Sequence, residues 1–331
     1  MIKQSKPSQI TFPGLLKGLV PGQLQSWGLL DVIPLFLANE AGNGRSRFVS
    51  PLEHLKLVSV PTYGTLTLQN ASKSGALIAP MHIGFFQPGA QNHATSRVLL
   101  FGPGETLTVK DAFCIQASQG GLLQEAQQRF IVLPLGLRKA ALAARGKEGY
   151  SRLWRDIDGY NRRYGIARGG HLERFLRPYF HRLMRFRHTL ELLPGQVGAA
   201  YFVAGNLVGV EVAPNVDYWQ DIGPILNIYC YGAAALLAER HQLKAQRHVV
   251  DLEGLASLDD LVQRLAEDRQ LQATERIDLV RALSTLPWKQ PGSAAQDRPR
   301  IVNLAQGEWS GQAVREGDDL LYLSLFRDIV V

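Results

Sequence analysis

Arg174, Arg177, His181, Arg185 and His188 follow one another at intervals of 3, 4, 4 and 3, the clearest chemical pattern in this chain. On a helix those intervals hold all five side chains within an arc of about 80°. Guanidinium groups fork onto phosphate oxygens, and imidazoles add charge or hydrogen bonds, so the stripe is suited to an anion. Its surroundings reinforce this. From Arg138 to His188 there are 14 Lys and Arg against Glu148, Asp156, Asp158 and Glu173, a net +10 where the whole chain carries +7. A positive field this concentrated points to an anionic partner, with nucleic acid or a nucleotide favoured. A solvated helix face, or pairing with acids elsewhere, is the plainer alternative.

Gln91, Asn92 and His93, beside Gly89, form a second group. Amides on a glycine-bordered turn can read a base edge or a ribose hydroxyl, or simply tie the loop down. With Arg138 they make the candidate ligand pocket of an enzyme reading. The histidines (His54, His82, His93, His171, His181 and His188) make no H-E-x-x-H and have no cysteine pair nearby, so neither a metal nor a cofactor is expected. Cys114, in the apolar run AFCIQ, reads as a small buried hydrophobe rather than a nucleophile. There is no G-x-S-x-G, and Gly102-Pro103-Gly104-Glu105-Thr106 lacks the lysine of a phosphate loop. Gly42-Asn43-Gly44-Arg45-Ser46-Arg47 has the composition of an anion nest, although a surface loop is the simpler reading.

The elements that must position these residues change period along the chain. Short strand patterns come first: 28–37 with Pro34 marking an edge or the end of pairing, 64–68, 76–83, 97–101 and 106–109. Turns at Gln87-Pro88-Gly89 and Gly102-Pro103-Gly104 separate the later ones. From about Leu122 the period becomes helical. Leu172, Phe175, Leu176, Tyr179, Phe180 and Leu183 line one helix face, with Pro178 kinking it or marking its first turn. Residues 197–203 and 207–212 read as a hairpin turning at Gly205-Asn206. A helix over 218–241 follows, and Ser257 caps another with Leu258, Leu261, Val262 and Leu265 inward. Ile277, Val280 and Leu283 belong to a neighbouring helix, residues 289–299 to a linker, and 320–331 to a returning strand.

The predicted class is α+β. An N-terminal arm (1–27) precedes a β-rich, sandwich- or barrel-like unit (28–121). A helix and hairpin unit (122–245) follows, then a C-terminal extension of helices and a strand (246–331). Two cysteines indicate no disulfide framework. Pro13, Lys17 and Pro21 interrupt any signal-peptide core, and the longest apolar run, 222–238, reads as a buried helix. A cytoplasmic, self-associating protein is the expectation, with Trp27, Trp154, Trp219, Trp288 and Trp309 as interface-type residues that otherwise serve cores.

Residues 28–212 also carry landmarks of a bacterial family in order. They are Pro34-Leu35-Phe36, the Leu66–Asn70 strand, Gly89-Ala90-Gln91-Asn92, Cys114, Leu137-Arg138, Leu153-Trp154 and the closing hairpin. In these the chain resembles the ADP-ribosylglycohydrolase- and rhodanese-phosphatase-associated protein domain family. The resemblance implies an α+β fold and an association with nucleotide, ADP-ribose or RNA-end metabolism, without a settled reaction. Pro80–Gly84, Gln91-Asn92-His93 and Gln116–Gly120 depart from the family's acidic and basic motif positions. If those positions are catalytic in relatives, this member is inactive. The expected function is therefore a non-catalytic binding or assembly protein, and the alternative an enzyme acting on a nucleotide or ADP-ribose derivative.

Overall fold

The structure, a computed structural model, describes residues 12–39, 44–86, 91–117, 129–147, 149–167, 169–243, 250–251, 253–288 and 298–328. The turn expected at 87–89, Gly89 beside the Gln91 loop, Arg168, most of the 289–299 linker and the last three residues lie outside this range. So do residues 1–11 of the arm and Gly42-Asn43 of the suggested nest.

Three short strands open the chain: β1 (Leu19–Pro21), β2 (Gln25–Trp27) and β3 (Leu30–Leu37). A turn of helix, α1 (Pro51–His54), leads into β4 (Leu55–Thr62), β5 (Thr65–Asn70), β6 (Leu77–Ala79) and β7 (Ile83–Phe86). Next come β8 (His93–Ala94), β9 (Leu99–Phe101), β10 (Thr106–Val109), β11 (Phe113–Cys114) and β12 (Arg129–Val132). Helices α2 (Leu135–Ala143), α3 (Trp154–Arg163) and α4 (Glu173–Thr189) precede the hairpin β13 (Gln196–Val203) and β14 (Asn206–Val212). Helix α5 (Val216–Ile225) continues through a π-helical turn (Leu226–Gly232) into α6 (Ala233–Arg240). The chain closes with α7 (Leu258–Ser284), β15 (Arg300–Gln306), β16 (Trp309–Glu316) and β17 (Asp319–Phe326).

The fold is α+β, and its organising element is an eight-stranded antiparallel sheet in the order β1-β3-β13-β14-β17-β16-β15, with β2 also on β3. This sheet takes strands from the beginning, middle and end of the chain. One face packs on the C-terminal half of α7 and the 12–19 segment through Leu16, Ile33, Val210, Val280, Leu283 and Leu323. The other packs on α2 to α6 through Tyr201, Tyr231, Phe186, Trp219 and Phe326. The smaller sheets β10-β5-β4, β11-β8-β7-β12 and β6-β9 form the N-terminal β-rich region, and none closes into a barrel. Helical residues 216–240 are long and apolar enough to cross a membrane by composition, but 83% of that apolar window is buried inside the protein, as in a core helix.

Several sequence expectations are corrected here. Strand β3 is not an edge, since β13 pairs along its other side, but pairing with β1 ends at Leu35 and with β2 begins at Val32, so Pro34 does mark an end of pairing on one side. The Pro34 carbonyl accepts from the Gly22 N–H at 2.8 Å, so its missing donor faces the gap where β1 has ended and β2 has not begun. The 76–83 run breaks into β6 and β7 around His82, whose φ of 60° is left-handed. The hairpin turns at Ala204-Gly205, φ 49° and 86°, one residue earlier than Gly205-Asn206, leaving Val203 opposite Asn206. Pro178 is the sixth residue of α4 rather than in its first turn.

The expected pair of C-terminal helices is one helix of 27 residues, α7, opened by a capping box between Ser257 and Asp260. Its first half does not face inward: Leu258, Val262 and Leu265 are 80, 65 and 38% exposed. The apolar period is real, but the sheet ends before it does. Only Arg276, Val280, Leu283 and Ser284 of this helix are buried.

Candidate functional site

Helix α4 buries Phe175, Leu176, Leu183 and Phe186, which turns the opposite face to water. On that face Arg177, His181, Arg185 and His188 are all exposed, as is Arg187 on the flank. None of these five makes an ion pair with a described residue. Arg174 differs: it is half-buried and folds back on the Gly169–His171 turn, where a side chain at Gly169 would meet its guanidinium at 2.7 Å. Phe180, 38% exposed, lies beside this face with its ring edge against His181 at 5.8 Å. The stripe thus comprises four exposed cationic or imidazole groups and one engaged arginine.

Much of the wider positive window is held internally. Arg162 pairs with Asp158 at 3.4 Å, Arg182 with Glu239 at 3.2 Å and Lys139 with Asp328 at 3.9 Å. Arg152 lies over the Phe113 ring and donates to the Ala144 carbonyl. Formal charge along the sequence therefore overstates the local field.

Gln91, Asn92 and His93 converge on Gln116 and Gly64. Gln91 Nε2 donates to the Gln116 carbonyl at 2.7 Å, and the Asn92 N–H donates to Gln116 Oε1 at 3.2 Å. His93 Nδ1 contacts the Gln91 carbonyl at 2.7 Å, while its Nε2 accepts from the Gly64 N–H at 3.2 Å. That geometry requires the neutral ring protonated on Nδ1, and burial holds the imidazole below its usual pKa. Gln91 Oε1 and Gln116 Nε2 are buried without a partner among the described residues.

Arg138 shares no hydrogen-bonding partner with that loop. It lies fully buried in a polar seam that the sequence reading did not anticipate. Glu211, Ser324, Gln312 and Asn303 are successive register partners across β14, β17, β16 and β15, so four polar side chains cross the sheet in one row. Arg138 Nη1 donates to Glu211 Oε1 at 2.6 Å and Nη2 donates to Ser324 Oγ. The Tyr231 hydroxyl donates to the same carboxylate oxygen at 2.7 Å, and the Arg138 Nε reaches His82 Nδ1 at 3.4 Å. Farther along, Gln312 bonds the Val98 N–H and Asn303, and Arg145 donates to Asn303. Burial alone would lower the Arg138 pKa, but Glu211, Cys230 and Tyr231 together hold it above the ordinary value. The signal available in the sequence was a polar residue in the middle of each otherwise mostly apolar five-residue run: GVEVA, YLSLF, SGQAV and IVNLA.

Cys114 and Cys230 are buried thiols raised by burial to about 11 and about 12, which leaves no thiolate near neutral pH. Among the described residues no group of three or more His, Cys, Asp or Glu is arranged to hold a metal ion. The family model described as ARG and Rhodanese-Phosphatase-superfamily-associated Protein domain matches residues 18–325. The match therefore extends past the 28–212 resemblance into α7 and the last three strands. No curated protein and no solved structure matches the chain significantly.

Proposed function

Because this chain belongs to the ARG and Rhodanese-Phosphatase-superfamily-associated Protein domain family, and its open chemistry is cationic, we propose that it is a binding and assembly protein. Its exposed α4 face engages single-stranded RNA or another nucleotide-bearing anion. One observation carries the reading: Arg177, Arg185 and Arg187 reach water without a carboxylate partner among the described residues, beside an exposed Phe180. Arginines track the backbone phosphates and an exposed ring stacks on unpaired bases, a combination that favours single strands over duplex. Turnover of a nucleotide at Gln91, Asn92, His93 and Arg138 is the weaker reading. The loop's polar atoms are tied to Gln116 and to the Gly64 backbone, and Arg138 is sealed in the seam.

The test is fluorescence anisotropy of a labelled single-stranded RNA across a salt series. Log affinity should fall linearly with log salt, and replacing Arg177, Arg185 and Arg187 by alanine should flatten the slope by about 2, or about 0.7 per lost phosphate contact. Phe180→Ala should weaken single strands more than duplex. Affinity indifferent to all four changes would refute the proposal.

Self-association belongs to the same reading and rests on the exposed apolar stripe of α7. A two-fold axis between Leu261 and Val262 would set Leu258 against Leu265 and Asp259 against Arg264 of a second copy, apolar on apolar and acid on base. Light scattering should then report a concentration-dependent dimer that Leu258→Glu with Leu265→Glu converts to monomer. A monomeric mass for the unaltered chain at every concentration would remove this element and leave RNA binding untouched.

A further inference from the structure

A cleft of about 280 Å³ lies between the 14–15 turn, the end of α7 and the β15–β16 hairpin. Its walls are Leu15, Leu286, Pro287, Trp288, Val302 and Leu304, and among the described residues its charged side chains are Arg300 and Arg315. The two arginines are direct register partners across β15 and β16. Like charges placed opposite each other on one sheet face repel and are destabilising. No described carboxylate relieves them. Arg315 donates through Nη2 to the Asp318 carbonyl at 2.7 Å, but its Nε is buried and unpartnered. The Arg300 side chain makes no hydrogen bond or ion pair with a described residue.

We propose that this cleft binds a small anion carrying a planar apolar body, such as an aromatic carboxylate. A carboxylate between the two guanidinium groups would accept forked hydrogen bonds, satisfy the buried Nε and cancel the repulsion across the strands. The apolar walls would take the ring. The Trp288 indole is held by donating to the Leu283 carbonyl at 3.3 Å, so that wall is preformed. The size also discriminates: the cleft is near the lower limit of ligand pockets, about 300 Å³, and accommodates one ring system rather than a dinucleotide. The site faces the α7 side of the sheet and is independent of the α4 face.

Fluorine NMR titration of the full chain with 4-fluorobenzoate tests this. Saturable one-to-one binding is expected, weakened about tenfold or more by Arg300→Ala or Arg315→Ala and unchanged by Arg177→Ala. The neutral 4-fluorobenzamide should not bind. Inorganic phosphate should compete only poorly; equal competition would overturn recognition of an apolar body. In the absence of ligand, Arg300→Gln should melt no lower than the unaltered protein because a repulsion is removed, and 4-fluorobenzoate should raise the melting temperature of the unaltered protein only. Absence of saturable binding, or binding that survives both arginine replacements, overturns the proposal.

Discussion

Replacing Arg138 with methionine will lower the unfolding free energy by about 3–5 kcal/mol, the usual penalty for stranding one member of a buried ion pair. Glu211 is 3% exposed and would be stranded without its guanidinium, with the Tyr231 hydroxyl still donating to it. Ser324 loses its donor as well. The paired replacement Arg138→Met with Glu211→Leu should recover most of the loss, because apolar residues of similar volume often substitute for a buried pair at little cost. Urea denaturation of the two single variants and the double variant measures this. A single-variant loss below about 1 kcal/mol would show that water reaches the seam and that its charges are not truly desolvated. The position also matters for shape, since a side chain at Gly209 would meet the Tyr231 hydroxyl at 2.1 Å. The seam and the close strand–helix approach are thus parts of one arrangement.

Stability will also fall as the pH drops below about 6.5, the value at which free histidine protonates. His82 is held well below that value by burial and then by the Arg138 charge, and His93 is lowered by burial. Above the unfolded value both rings are neutral in both states, so the full stability is present. Between the unfolded and folded values the unfolded chain binds the extra protons, and the folded state loses about 1.4 kcal/mol per pH unit for each such histidine. Denaturation curves across this range should steepen accordingly. His93→Gln should remove one histidine's share of the slope, and His82→Asn, which tolerates the left-handed backbone, should remove the other. A stability that is flat from neutral to mildly acidic pH would mean that the rings are protonated in the fold, contrary to the acceptor role of His93 Nε2 toward Gly64.

The cationic helix was legible in the sequence because a helix converts spacing directly into direction. Leu172, Phe175, Leu176 and Leu183 had to face the core, so Arg177, His181, Arg185 and His188 had to face away, and they do. Arg174 escaped that rule because its fate depended on the Gly169–His171 turn, a neighbour that helical period cannot specify. The same limit explains α7. The apolar period of Leu258, Leu261, Val262 and Leu265 announces an amphipathic helix, yet whether that face is covered depends on how far the sheet extends beneath it. Arg138 and Glu211 stand 73 positions apart, and nothing local joins them. Their pairing exists only because β14 and β17 are neighbours and α2 lies across them.

By itself, then, the sequence determined the kind of most segments and the outward direction of the charges on α4. Those are consequences of backbone period and of the exclusion of apolar side chains from water, both set within a dozen or so residues. Tertiary structure alone decided which charges meet a counter-ion. Arg138 is neutralised inside, Arg177 and Arg185 are left to the solvent, and Arg300 is brought face to face with Arg315. Coulomb energy depends on distances between elements far apart in the chain, and those distances are established only when the sheet assembles.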